Sequence, residues 1–277
     1  MLALAGVVEY LTHVALTVRH EKRSHIRTAT EISPEIQTVT TLTPDGLKLS
    51  AWWWPATGNQ GEPVILVHGL GGTRADMWRA MKLVHDQGRN ALAIDLRGHG
   101  QSAPAQPSFG WREKQDVKAW MTWLASREKR EVHPLLWGTS MGAVTCLLAA
   151  AEDPRAGGVI ADAPFDNLTH TLDRHASLYY SGLINPPLVS LVAWRIGAED
   201  HLPVAEVDCV RAVRKIHVPV LLIAGELDQR MPPGDVRRIY EAANKPKAWF
   251  VVANAGHSFR PFNDDFRAAV IAFLKRG

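Results

Sequence analysis

The segment Gly138-Thr139-Ser140-Met141-Gly142 carries the most specific chemical content of this sequence. It directly follows the apolar run 135–137, which has the length of a buried strand, and directly precedes a helix-like run that starts at 141. A serine on so tight a strand-to-helix turn must take a strained backbone conformation, and glycines two positions to either side give strand and helix the close approach the turn demands. Its hydroxyl then projects from the end of a sheet. The helix starting at the next residue aims free backbone N–H groups and the positive end of its dipole at any anion formed there, so Met141 N–H is a candidate oxyanion donor.

A hydroxyl is nearly unreactive near neutral pH until a neutral imidazole accepts its proton, and the imidazole works best when a buried carboxylate fixes its tautomer. Chemistry at Ser140 therefore requires a histidine and an acid from elsewhere in the chain. Of the twelve histidines, His68 and His99 lie in the Gly-rich turns His68-Gly69-Leu70-Gly71-Gly72 and Asp95-Leu96-Arg97-Gly98-His99-Gly100-Gln101-Ser102. An imidazole in such a turn commonly fixes loop backbone, and both are read as structural.

The elements that must position these groups follow from alternation. Beyond about residue 36, strand-like and helix-like segments take turns, the pattern of a mostly parallel sheet with helices on both faces. Segments 37–43 and 47–54, separated by Pro44-Asp45-Gly46, read as an antiparallel hairpin. The runs 64–67, 91–94, 135–137, 158–161, 218–224 and 248–252 are apolar throughout and should form the parallel core. Helical patterning near 74–87, 112–126, 141–152, 234–243 and 264–275 supplies the crossovers. The interval 164–217, after the sixth strand, is too long for one crossover and is rich in bulky apolar residues, with a break at Pro186-Pro187. It reads as a small helical cap. The expected organisation is an N-terminal amphipathic helix with a basic linker over 1–30, a core over 31–163 and 218–277, and the cap between.

The pentapeptide in this setting resembles the nucleophile elbow of the α/β-hydrolase superfamily, in its serine esterase, lipase and lysophospholipase-like branch, and the likeness extends over roughly residues 37–277. The resemblance implies the α/β-hydrolase fold and places His68-Gly69-Leu70 in the superfamily's oxyanion loop, with Leu70 N–H as second oxyanion donor. It also implies the chain order serine, acid, histidine. His257, in Ala255-Gly256-His257-Ser258-Phe259 between the last strand and the terminal helix, fits the histidine. Asp228, in a pattern similar to the superfamily's Asp-x-x-x-Pro loop, fits the acid, with Glu226, Asp162 and Asp166 as rivals. Members that open epoxides or displace halide carry aspartate at the elbow, so Ser140 argues against both.

Composition narrows the remaining classes. The chain has 277 residues, 46% hydrophobic and 21% charged, which suits a packed globular protein. A net charge of +3 does not build the basic face that nucleic acid requires. No Walker motif or dinucleotide fingerprint is present, and no cofactor or metal is expected. Cys146 and Cys209 are too few for a disulfide framework and read as reduced thiols of a cytoplasmic protein. Residues 2–18 place Leu4, Val7, Val8, Leu11, Val14, Ala15 and Val18 at helical spacing, too short to span a ~30 Å hydrocarbon core. No basic residue precedes this run, which argues against a secretory signal. The helix should pack on the body or on a second copy. A peripheral membrane contact helped by Arg19, Lys22, Arg23 and Arg27 is the alternative.

These readings converge on a serine carboxylic-ester hydrolase acting through an acyl-enzyme on a small to medium hydrophobic ester. Tyr179, Tyr180, Leu183 and Trp194 of the cap are candidates for the substrate-binding surface. A thioesterase or serine peptidase of the same fold is the alternative, and a non-catalytic interaction module with a relict triad is the alternative from another class.

Overall fold

Strands that are apolar at every position are stable only where both faces of the sheet are covered, and that condition dictates the architecture. The structure, a computed structural model, describes residues 2–16, 28–58, 61–180, 186–257 and 262–276. Its sheet contains β1 (Gln37–Leu42), β2 (Lys48–Trp54), β3 (Val64–Val67), β4 (Ala91–Ile94), β5 (Leu135–Thr139), β6 (Gly158–Asp162), β7 (Val220–Gly225) and β8 (Lys247–Val252). The spatial order is β1-β2-β4-β3-β5-β6-β7-β8. β2 runs antiparallel to both β1 and β4, and every pairing from β4 through β8 is parallel. This is the α/β-hydrolase fold.

Alternation within each strand divides the core in two. Ile65 and Val67 of β3, with Leu92 and Ile94 of β4, face one side, where they meet Trp120, Val144, Val213 and Ile239. These come from the helices α3 (Glu113–Glu128), α4 (Met141–Ala150), α7 (Cys209–Val213) and α8 (Pro233–Ala242). Val64, Leu66, Ala91 and Ala93 face the other side, against Met81, Val84, Phe266 and Val270 of α2 (Trp78–Asp86) and α9 (Asp264–Leu274).

Several element ends differ from the sequence reading for local reasons. β7 starts at Val220 rather than 218, because Pro219 has no N–H to give the ladder. The segment before α2 is a separate 3₁₀ turn, Arg74–Met77, rather than part of one helix from 74. Between β6 and β7 lie α5 (Leu168–Tyr180), α6 (Pro186–Asp200) and α7. α7 packs against α4 and α8, with Cys209 and Val213 fully buried. It belongs to the core layers and not to the expected cap over 164–217, which leaves α5 and α6 as the added helical layer.

The N-terminal helix α1 (Leu2–Leu16) packs on α6 of its own chain, with Val8 and Leu11 buried and Arg195 paired to Glu9 at 3.1 Å. Val7 departs from the predicted apolar face: it is exposed, as is Tyr10. Among the described residues no helix is long and apolar enough to cross a membrane. The basic residues Arg19, Lys22, Arg23 and Arg27 lie outside the described residues. Trp52, Trp53 and Trp54 are buried in the core, and Cys146 and Cys209 are buried free thiols.

Candidate active site

In an open parallel sheet, the crevice outside the carboxyl ends of the strands is where loops converge. Ser140 follows β5, Asp228 follows β7, His257 follows β8 and the 68–72 loop follows β3, so all four approach the same rim of the sheet.

Ser140 has φ 56° and ψ −123°, a region that costs a non-glycine residue of order 1–3 kcal/mol. The surrounding contacts hold it there. Its N–H donates to the Asp162 carbonyl at 2.8 Å at the end of the neighbouring β6, and Ala143 N–H donates to its carbonyl at 2.9 Å to open α4. The flanking glycines explain why nothing larger fits. A Cβ at Gly138 would lie 2.1 Å from the Gly142 carbonyl oxygen, and a Cβ at Gly142 would lie 2.3 Å from that of Val67.

Ser140 Oγ is 3.0 Å from His257 Nε2, and His257 Nδ1 is 2.8 Å from Asp228 Oδ2. A carboxylate only accepts hydrogen bonds, so Nδ1 carries the proton and donates it. Nε2 is left as an acceptor for the serine hydroxyl. Asp228 is held in turn by the backbone N–H groups of Arg230 and Met231, which donate to Oδ1 at 3.0 and 2.9 Å. The Asp228 side chain is fully buried and that of His257 is 7% exposed, so the pair sits where water screens it little.

The loop 68–72 lies directly against the serine. A Cβ at Gly69 would be 3.2 Å from Ser140 Cβ, so the residue before Leu70 lies in close contact with Ser140. Met141 is the first residue of α4, so its N–H has no acceptor one turn back. Among the described residues neither the Leu70 nor the Met141 N–H donates to a protein acceptor. Two imidazoles brace the loop. His68 Nδ1 donates to the Gly69 carbonyl at 2.8 Å and its Nε2 accepts from Leu96 N–H at 3.1 Å. His99 Nδ1 donates to the Arg97 carbonyl at 2.8 Å and its Nε2 accepts from Gly71 N–H at 3.1 Å. Both rings are committed at both nitrogens to backbone, as the sequence reading of these turns expected.

Two of the rival acids have their carboxylates engaged elsewhere. Glu226 accepts from Asn254 N–H at 2.8 Å, and Asp166 is paired with Arg238 at 2.8 Å. Asp162 serves Ser140 through its main-chain carbonyl. Of the candidate substrate residues, Trp194 stands 66% exposed on α6. Tyr179 and Tyr180 end α5, where their side chains lie outside the described residues, as does Leu183 altogether.

Two residues near the site went unnoticed in the sequence. His175 of α5 is half-buried, and burial pushes its imidazole down to about 4, with Arg230, His257 and Arg174 acting in the same direction and Asp228 opposing. Arg230 stands two residues past Asp228, and that spacing was its only sequence signal. An ionic contact ties α5 to the core: Arg174 Nη2 donates to both carboxylate oxygens of Asp235 at 2.8 Å.

The model of the alpha/beta hydrolase family matches residues 64–273. An uncharacterised protein of Mycobacterium tuberculosis is 30% identical over 237 residues, covering 84% of this chain and 76% of that protein. The uncharacterised YqkD of Bacillus subtilis is 30% identical over 215 residues, 76% of this chain and 70% of its own. Among solved structures, the Pyrococcus furiosus esterase Pf2001 superposes with a TM-score of 0.75 at 28% identity, covering 94% of this chain and 97% of that one.

Proposed function

The chain belongs to the alpha/beta hydrolase family, and from that premise we propose that it is a serine carboxylic-ester hydrolase. The observation that carries this reading is the line of two short contacts, Ser140 Oγ to His257 Nε2 at 3.0 Å and His257 Nδ1 to Asp228 Oδ2 at 2.8 Å. The description of Pf2001 as an esterase supports it.

In the proposed reaction His257 Nε2 takes the hydroxyl proton as Ser140 Oγ bonds to the ester carbonyl carbon. The carbonyl π electrons move to oxygen, and that oxyanion is held by the N–H groups of Met141 and Leu70. Collapse re-forms the carbonyl, breaks the bond to the alcohol oxygen, and the imidazolium returns its proton to the departing alcohol. Water then repeats the sequence on the acyl-enzyme, with His257 as base, and releases the acid and free Ser140. Throughout, the charge of Asp228 favours the transient imidazolium. Removing one oxyanion donor from such a site costs about 10²–10³ in rate.

The same steps accept a thioester or an amide. The apolar residues of α5 and α6 favour a hydrophobic acyl or alcohol group. A chromogenic short-chain ester should be turned over by the protein and not by Ser140→Ala, and a fluorophosphonate probe should label Ser140 alone. Turnover that survives Ser140→Ala, or the absence of both turnover and labelling, overturns the reading; the latter leaves the interaction module.

A further inference from the structure

Most buried and half-buried arginines among the described residues are matched to carboxylates, and the buried Arg89 donates instead to the main-chain carbonyls of Glu62 and Leu274. Arg74 faces Asp95 at 3.1 Å, Arg97 faces Asp116 at 2.7 Å and Arg174 faces Asp235 at 2.8 Å. Arg230 departs from this rule. It is half-buried, its Nε, like that of Arg174, is shut off from solvent with no hydrogen-bond partner, and, unlike Arg174, it has no carboxylate paired with it among the described residues. Its backbone, by contrast, is fixed by the N–H bond to Asp228 Oδ1, so the side chain departs from a rigid point beside the site.

The guanidinium shares a neighbour with the site. His175 of α5 has Arg230 as its strongest charged neighbour, followed by His257, Arg174 and Asp228, so one imidazole lies within electrostatic reach of both the Arg230 side chain and the proposed catalytic pair. Desolvating a guanidinium N–H without a partner is costly, and a planar fork of donors matches the two oxygens of an oxyacid.

We propose that Arg230 is the receptor for an oxyacid anion, carboxylate or phosphate, carried by the substrate, so that the site takes an ester with an apolar body and an anionic end. This rests on the esterase reading and names its substrate class. The bound anion pairs with the terminal N–H groups of the guanidinium, for which the described residues supply no carboxylate.

The test compares wild type, Arg230→Met and Arg230→Lys on p-nitrophenyl butyrate and mono-p-nitrophenyl glutarate, which share a leaving group and differ in charge. The ratio of kcat/KM for the anionic ester to that for the neutral ester should fall about 10- to 100-fold in Arg230→Met, the span of one charge-assisted contact, chiefly through KM. Arg230→Lys should recover part of it. An unchanged ratio overturns the proposal, and so does a ratio that Arg230→Lys lowers as far as Arg230→Met. Calorimetric titration with glutarate and with glycerol 3-phosphate needs no turnover: binding by wild type that Arg230→Met loses supports the receptor and tells carboxylate from phosphate. If wild type turns over neither ester, the esterase reading fails and calorimetry alone decides, with binding of neither anion overturning the receptor.

Discussion

Replacing Asp228 by asparagine preserves the size of the acid and changes the direction of one proton. Asp228 Oδ1 accepts two backbone N–H groups, from Arg230 at 3.0 Å and Met231 at 2.9 Å, while Oδ2 accepts from His257 Nδ1 at 2.8 Å. An asparagine has one oxygen for these two positions. With the NH₂ at Oδ1, two N–H donors would lose their acceptor, at about 1–3 kcal/mol each. With the NH₂ at Oδ2, it faces a single ring nitrogen that can answer by changing tautomer. The amide oxygen therefore takes the Oδ1 position, and His257 must accept at Nδ1 and carry its proton on Nε2. That proton then points at Ser140 Oγ from 3.0 Å, where it can be donated but cannot be replaced by the serine's.

The expected outcome is a loss of about 10³–10⁴ in kcat, equivalent to about 4–5.5 kcal/mol of transition-state stabilisation, with KM within a few fold. Steady-state hydrolysis of a short-chain p-nitrophenyl ester measures it, and the fluorophosphonate labelling rate of Ser140 should fall in parallel. Thermal unfolding should barely change, since both N–H groups keep their acceptor. An Asp228→Asn protein that is folded and retains more than about one-tenth of wild-type kcat would refute this assignment of the acid, because a wrong tautomer cannot be that active.

Other perturbations test the scaffold. Gly142→Ala should destabilise the protein by about 1–3 kcal/mol or more and abolish activity, because its Cβ would meet the Val67 carbonyl oxygen at 2.3 Å; urea unfolding measures the first effect. Arg97→Met strands the fully buried Asp116 and should cost about 3–5 kcal/mol, whereas Asp45→Ala removes only a half-exposed partner of the same arginine and should cost about 1 kcal/mol or less. His175 has a folded-state pKa of about 4 against an ordinary 6.5, so between these values the unfolded chain binds more protons. The stability present above pH 6.5 should thus decline as pH falls through about 4, by at most about 3 kcal/mol, and His175→Gln should flatten that decline in urea titrations at pH 7 and 4.5. Because the charge of Arg230 helps depress His175, Arg230→Met should raise the His175 titration midpoint read by NMR; an unmoved midpoint would separate the two side chains.

What the sequence determined by itself was local. The elbow is legible because strand, serine, flanking glycines and helix are contiguous over 135–150, and the structure adds the steric reason, since a Cβ at Gly138 or Gly142 would meet backbone. The apolar runs at 64–67 and 91–94 match β3 and β4 because a doubly covered sheet leaves no polar alternation to blur their ends. Even His68 and His99 could be set aside, since Gly-rich turns at strand ends use imidazoles for their own backbone.

What only tertiary structure decided depends on contacts between distant segments. Ser140 and His257 are 117 residues apart and their 3.0 Å separation exists only once β5 and β8 take their places in the sheet. Asp228 and Glu226 share one loop, and the direction of the chain past β7 sends one carboxylate to His257 and the other to Asn254 N–H. α7 joins the core because α4 and α8 leave an apolar surface for Cys209 and Val213, although its sequence is continuous with the added helices. The solitary charge of Arg230 is likewise invisible in one dimension. An arginine's partner is whatever carboxylate the fold brings near, and here, among the described residues, the fold brings none.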